Sequence, residues 1–191
     1  MNILWDFDGT LFNTYPAYTA VFKEVLGDEG ITEEEVMSQL KISFSDAEKH
    51  FRMTEGQMKE IRHKIACLPP DAFRPFAGVE EVLKYAQINV IMTHKPREEV
   101  LSVLQHFGWD TYFTDMVAGD DGYPRKPDPA SYQHLHNQYH IDLVIGDREL
   151  DILPGKALGI KTCLFQNKRP GADFYMEDYA EFAKIREHFA G

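Results

Sequence analysis

Five short apolar runs, at residues 2–5, 88–92, 116–118, 143–145 and 161–165, recur along the chain with helix-period segments between them. Runs this short and this continuously apolar suit strands buried on both faces of a sheet. The segments between them keep a different period. Val79, Val82, Leu83 and Ala86 fall at i, i+3, i+4 and i+7, and Val100, Leu101, Leu104 and Phe107 share a face that Gly108 can end. Asp128 followed by Pro129 makes an N-cap and first-turn pair for a helix continued by Tyr132, Leu135 and Tyr139. Strands alternating with helices require a parallel sheet, because parallel neighbours need long crossover connections. The expected class is therefore α/β, with helices on both faces of a doubly wound sheet.

Residues 14–78 break the alternation. Tyr18, Val21, Phe22 and Val25 mark an amphipathic helix closed by Gly27, and Met58, Ile61 and Ile65 mark another. Thr32-x-x-Glu35 and Ser45-x-x-Glu48 have the form of capping boxes, each opening a helix. The reading is an all-helical insertion after the first strand, residues 14–78, with a core made of 1–13 and 79–191. No Gly/Ser-rich linker separates the two, so the expected connections are short.

A chain of 191 residues is long enough to bury a core without staples. Its formal charge of −11 opposes a polyphosphate backbone, so nucleic acid is not an expected partner. A local site can still bind a small anion against that global field. Cys67 and Cys163, the two cysteines, lie far apart and form neither a disulfide framework nor a zinc site. With no signal peptide and no apolar run near the ~20 residues of a membrane span, the expectation is a cytoplasmic protein with no membrane partner. Oligomeric state is not legible.

Polar residues gather where the apolar runs end. The first run leads into Asp6-Phe7-Asp8-Gly9-Thr10, the second into Thr93-His94-Lys95, and the fourth into Gly146-Asp147 with Asp151 four residues on. Arg125-Lys126-Pro127-Asp128-Pro129 lies between the third and fourth runs. Each alone has an ordinary explanation: Asp-Gly is a common turn, Thr93 and Asp147 could cap helices, and Lys126 could be a solvated loop lysine. Together they occupy the carboxyl ends of strands, where open α/β sheets bind ligands. Two carboxylates one residue apart, Asp6 and Asp8, repel each other and serve no purpose in folding a strand end. Something electrophilic or cationic is expected beside them.

Over nearly its whole length the sequence resembles the haloacid dehalogenase superfamily of aspartate-nucleophile phosphohydrolases. Asp6-x-Asp8-Gly9-Thr10 is similar to the first motif of that superfamily, Thr93 to the second, Lys126 to the third, and Gly146-Asp147-x-x-x-Asp151 to the fourth. The insertion resembles the small helical cap of the phosphoglycolate phosphatase-like branch. The first motif is specific; the lone Thr and Lys gain weight from their order.

The resemblance implies a Rossmann-like core and a phosphoryl-transfer site. Asp6 would be the nucleophile, forming an aspartyl-phosphate. Mg²⁺ would bridge nucleophile and phosphate, held by Asp6, the backbone carbonyl of Asp8 and Asp147, with Asp151 a fourth ligand or a supporting acceptor. Asp8 would protonate the leaving alkoxide and then deprotonate water, a role that calls for a raised pKa. Gly9 would let backbone N–H groups reach the phosphoryl oxygens, Thr93 would bind one of them, and Lys126 would offset the remaining charge. The Asp8 carboxylate favours phosphate ester chemistry over dehalogenation.

This sequence departs from the pattern at two places. His94 stands where Asn is common, and either adds a donor near the phosphate or only packs. Arg148 stands where Ser or Thr is common, and is expected to pair with Asp151 or Glu149. In the insertion, the stretch 41–45 reads as a loop between two helices. Lys41, His50 and Arg52 are candidates for a second anionic group on the substrate. The resulting expectation is a Mg²⁺-dependent phosphatase of small phosphorylated metabolites. A sugar phosphomutase of the same superfamily is the alternative, and a non-catalytic phospho-accepting or binding module a more distant one.

Overall fold

The computed structural model describes residues 1–189. Six parallel strands form one sheet in the order β5-β4-β1-β6-β7-β8. They are β1 (Asn2–Trp5), β4 (Ile88–Met92), β5 (Asp115–Val117), β6 (Leu143–Gly146), β7 (Lys161–Phe165) and β8 (Phe174–Met176). Two further strands of two residues each, β2 (Phe12–Asn13) and β3 (Arg74–Pro75), mark where the chain leaves and re-enters this region. The sheet is a doubly wound, Rossmann-like α/β core.

The strand order follows from burial. β1 is inside, flanked by β4 and β6 with Leu4 beside Val90 and Val144, and Ile3, Leu4 and Trp5 are fully buried. One face packs Leu4, Val90, Met92, Val117 and Val144 against Tyr132 and Leu135 of α7 (Ala130–Tyr139). On the other, Phe165 stacks on Tyr179, which also meets Trp5. Trp5 Nε1 donates to Asn89 Oδ1 at 2.8 Å, and Asn89 Nδ2 donates to the Leu83 carbonyl, so the polar pair inside the core is satisfied. Helices α5 (Val79–Tyr85), α6 (Arg97–His106), α8 (Glu149–Ala157) and α9 (Phe182–Arg186) complete the layers.

The chain divides into two compact units, one of Met1–Phe12 with the chain from Pro75 onward, the other Asn13–Arg74. The return comes at Pro75, where the Phe76 amide donates to the Leu11 carbonyl. The second unit holds α1 (Tyr15–Leu26), α2 (Glu33–Leu40), α3 (Phe44–His50) and α4 (Glu55–Ala66). It has its own core: Tyr18, Phe22, Val36, Leu40, Ala47, Met58 and Ile61 are buried, and Phe44 meets Tyr18 and Phe22 edge-on.

Several local readings are corrected here. Ser43, not Ser45, caps α3, its hydroxyl accepting from the Asp46 amide. Phe44 must turn inward to reach Tyr18 and Phe22, and that sets where the helix begins. The capping box in this unit that closes reciprocally is Thr54 with Gln57. Ahead of α7, the Asp128 side chain accepts the Ala130 amide, with Pro129 at the helix entry. Strand β5 starts one residue earlier than its apolar run, since Asp115 pairs in register with Val90. Strand β8, the short run Phe174-Tyr175-Met176, adds a sixth strand to the five expected; Asp173 ties its start to β7 by accepting from both the amide and the hydroxyl of Thr162. No helix among the described residues is long and apolar enough to cross a membrane.

Candidate active site

Parallel β1 and β6 end side by side, and the Asp6 amide extends their ladder by donating to the Ile145 carbonyl at 2.9 Å. Asp6 is thereby fixed at the strand end with 2% of its surface exposed. One residue past β6 stands Asp147, and the first turn of α8 brings in Asp151, which is fully buried. Gly146 makes that approach possible, since a Cβ there would lie 2.3 Å from the Asp151 Cβ. Asp6, Asp147 and Asp151 each offer a carboxylate oxygen within 4.8 Å of the others.

Lys126, in the loop between β5 and α7, ties two of these acids together. Its ammonium donates to Asp6 Oδ1 at 2.6 Å and to Asp151 Oδ1 at 2.9 Å, all three side chains being essentially solvent-free. Asp151 is the best-held of the acids: its Oδ2 accepts the Arg148 amide at 3.0 Å, and its carbonyl accepts the Tyr132 hydroxyl at 2.8 Å. The Arg148 guanidinium lies 3.5 Å from Asp151 and 3.7 Å from Asp147. Asn167 Nδ2 donates to the Asp147 carbonyl at 2.7 Å.

The charges follow from these contacts. Burial pushes the Asp6 carboxyl up to about 6, the Asp151 charge adds to it, and Lys126 pulls the other way. Burial also opposes ionisation of Asp151, but Lys126, Arg148 and the backbone amide outweigh it and hold its carboxyl at about 2. Asp151 thus keeps its charge where the two acids compete for one lysine. Burial alone would lower Lys126; its two carboxylate partners drive it well above the ordinary lysine value.

A divalent cation fits this group of residues. The donors are three hard carboxylate oxygens with no sulfur or imidazole, the set preferred by Mg²⁺ or Ca²⁺ over Zn²⁺. Asp6 Oδ2 is buried with no hydrogen-bond partner, a costly state for a carboxylate oxygen without a cation. Both oxygens of Asp151 are already engaged by Lys126 and the Arg148 amide.

The other expected site residues divide. Thr93 is buried just past β4, its amide on the Val117 carbonyl and its hydroxyl oxygen accepting from the Lys95 amide. That hydroxyl still has its proton to donate. Asp8 is half-buried in the turn after Asp6, and its carboxylate is not part of the three-acid cluster. Gly9 turns the chain with φ +79°, and its own N–H goes to the Phe12 carbonyl at 2.8 Å. His94 Nε2 accepts the Lys126 amide at 3.0 Å. In the insertion, Lys41 lies over the Tyr15 ring, His50 Nε2 is 3.0 Å from Glu35 Oε1, and Arg52 occupies an exposed left-handed position. Tyr132 and Asn167 were not legible as site residues. Tyr132 reads as core by its helical period, and Asn167 is twenty positions from the carbonyl it holds.

The profile of the family described as haloacid dehalogenase-like hydrolase matches residues 3–165. A phosphoglycolate phosphatase from Photobacterium profundum is 28% identical over 179 residues, covering 81% of this chain and 78% of its own. The pyrophosphatase PpaX of Halalkalibacterium halodurans is 27% identical over 187 residues, covering 90% and 86%. The crystal structure of a hydrolase from Streptococcus pneumoniae TIGR4 superposes with a TM-score of 0.67 at 29% identity, covering 97% of each chain. Matched by that profile over residues 3–165, which include residues of both units, this chain belongs to the haloacid dehalogenase-like hydrolase family.

Proposed function

We propose that this chain is a divalent-cation-dependent phosphatase of small phosphorylated metabolites, with Asp6 as nucleophile and Mg²⁺ as the cation. The observation that carries the reading is the buried Asp6–Lys126–Asp151 bridge beside Asp147. Lys126 pins Asp6 Oδ1 and leaves Oδ2 without a partner, so one carboxylate oxygen is oriented while the other keeps an open lone pair. In-line attack by Asp6 on phosphorus forms the O–P bond as the ester O–P bond breaks. Asp8, one turn residue on, gives the leaving alkoxide a proton and later takes one from the water that releases phosphate. The Thr93 hydroxyl and the Lys126 ammonium balance charge on the phosphoryl oxygens and on Asp6.

Asp6 and Asp147 would hold the cation, with Asp151, its oxygens engaged by Lys126 and the Arg148 amide, as a supporting acceptor; when bound, the cation would neutralise part of the phosphate charge and favour ionised Asp6. Discrimination among monoesters must come from outside this shared phosphoryl grip, and Lys41, His50 and Arg52 are the candidates for truncation to Ala. Relatives named as phosphoglycolate phosphatase and as pyrophosphatase support a small phosphorylated substrate and do not choose between ester and anhydride.

The test is phosphate release from phosphoglycolate, sugar phosphates, nucleoside monophosphates and pyrophosphate, with Mg²⁺ or with excess chelator. Turnover is expected with Mg²⁺ only, and none from a folded Asp6→Asn variant. Full activity in chelator, or in Asp6→Asn, would remove the cation or the nucleophile from the reading. Product analysis separates net hydrolysis from the phosphate return of a mutase.

A further inference from the structure

The geometry points to His94 as a positioning residue, one that sets the bridging lysine by accepting its backbone amide. Resting on the proposed phosphatase reading, this adds a part to it that the expected motifs do not contain. Lys126 is 5% exposed, and its ammonium must meet two carboxylates at once, one just past β1 and one in the first turn of α8. A long side chain is placed only as well as its own backbone. The Lys126 amide donates to His94 Nε2 at 3.0 Å, thirty-two residues away in sequence.

The imidazole is launched from a backbone with little freedom. The Thr93 amide donates to the Val117 carbonyl and the Lys95 amide to Thr93 Oγ1. The Gly119 amide donates to the Lys95 carbonyl at 2.9 Å, and a Cβ on Gly119 would lie 2.1 Å from the His94 carbonyl oxygen. Residues 93–95 and 117–119 are therefore clamped together, and the ring projects from the clamp to the lysine loop.

The ring's protonation follows from its neighbours. Arg125 Nη2 lies 3.2 Å from His94 Nδ1. A neutral imidazole has one acceptor nitrogen, so it cannot accept from both Arg125 and the Lys126 amide. The amide is the more enclosed donor and would be left unsatisfied, whereas the exposed guanidinium can turn to water. Nε2 is thus the acceptor and Nδ1 carries the proton. Burial holds the His94 pKa down at about 3, with Lys126, Arg125 and Arg148 adding to the effect, so the ring stays a neutral acceptor.

Three measurements test this. In the wild-type protein, two-bond ¹H–¹⁵N correlation of the imidazoles should show His94 as the Nδ1–H tautomer; an Nε2–H tautomer overturns the proposal. His94→Gln keeps an acceptor, since Oε1 reaches about as far as Nε2, while His94→Leu removes it. His94→Leu should speed hydrogen exchange at the Lys126 amide and lower kcat by roughly 10- to 100-fold, with KM changed far less. His94→Gln should restore both. Equal exchange and kcat in His94→Leu and wild type, or a folded His94→Gln as impaired as His94→Leu, would overturn the positioning role. If the wild-type protein turns over no phosphate, the phosphatase reading fails, and the tautomer and the exchange rates still decide the positioning.

Discussion

Asp6→Asn should change how stability depends on pH, not only abolish turnover. In the metal-free protein the Asp6 carboxyl sits at about 6, against 3.8 for an unperturbed aspartate, because it is buried beside charged Asp151. A raised acid binds its proton more tightly in the folded state. Its contribution to stability is complete below pH 3.8 and is lost as pH rises through about 6. Two pKa units at about 1.4 kcal/mol each come to about 3 kcal/mol. Asn carries no proton to lose, so this loss is missing from the variant. Asp151, held at about 2 by Lys126, Arg148 and the backbone amide, does not titrate between pH 4 and 7 and leaves that window clear. Urea denaturation of both proteins across the window, in chelator, should show Asp6→Asn gaining about 2–3 kcal/mol on the wild type as pH rises. The difference in urea midpoint should grow by roughly 1 M. The attraction of Lys126 for ionised Asp6 through the 2.6 Å contact is already contained in that pKa and adds no opposing trend with pH. A gap that stays constant or narrows with rising pH would refute the reasoning, and with it the raised pKa of buried Asp6.

Lys126→Met should cost about 3–5 kcal/mol in denaturant titration, because it leaves Asp6 and Asp151 buried with no ammonium between them; adding Mg²⁺ should recover part of the loss. Ser43→Ala should destabilise by about 1 kcal/mol through the lost cap on α3, and Ser45→Ala by a few tenths at most, which thermal melts can separate. Asp8→Ala should slow sugar phosphates by roughly 10²–10⁴-fold and aryl phosphates less, with a burst of phenol before slow turnover. Equal slowing of both without a burst would move Asp8 out of the acid–base role.

Local pattern carried much of the architecture. Asn2–Trp5 and Ile88–Met92 read as strands because each is apolar enough to be buried on both faces, and both are. Gly27 ends α1 in a left-handed conformation as its type allows, and Thr32 caps α2 through the Glu35 amide. Where the cue depended on a distant partner, the pattern was silent or misleading. Ser45 has the form of a cap, yet α3 starts at Phe44 with Ser43 as its cap, where Phe44 makes its aromatic contacts with Tyr18 and Phe22. The three-residue run Phe174-Tyr175-Met176 becomes strand β8 beside β7, its start held by Asp173 on Thr162, eleven residues back.

The same division runs through the site. Parallel strands joined by right-handed crossovers place all their carboxyl ends along one edge, so acids that follow successive apolar runs must converge. That much the order of residues determined: Asp6, Asp147 and Asp151 meet because they follow β1 and β6, which are neighbours in the sheet. Which atoms remain available was decided by tertiary structure. The Gly9 amide is taken by Phe12, His94 Nε2 by the Lys126 amide, and both oxygens of Asp151 by Lys126 and Arg148, while Asp6 Oδ2 is left open. Residue types and spacing specify which groups come near one another; hydrogen-bond directions, and the few tenths of an ångström that decide them, exist only once the chain has packed.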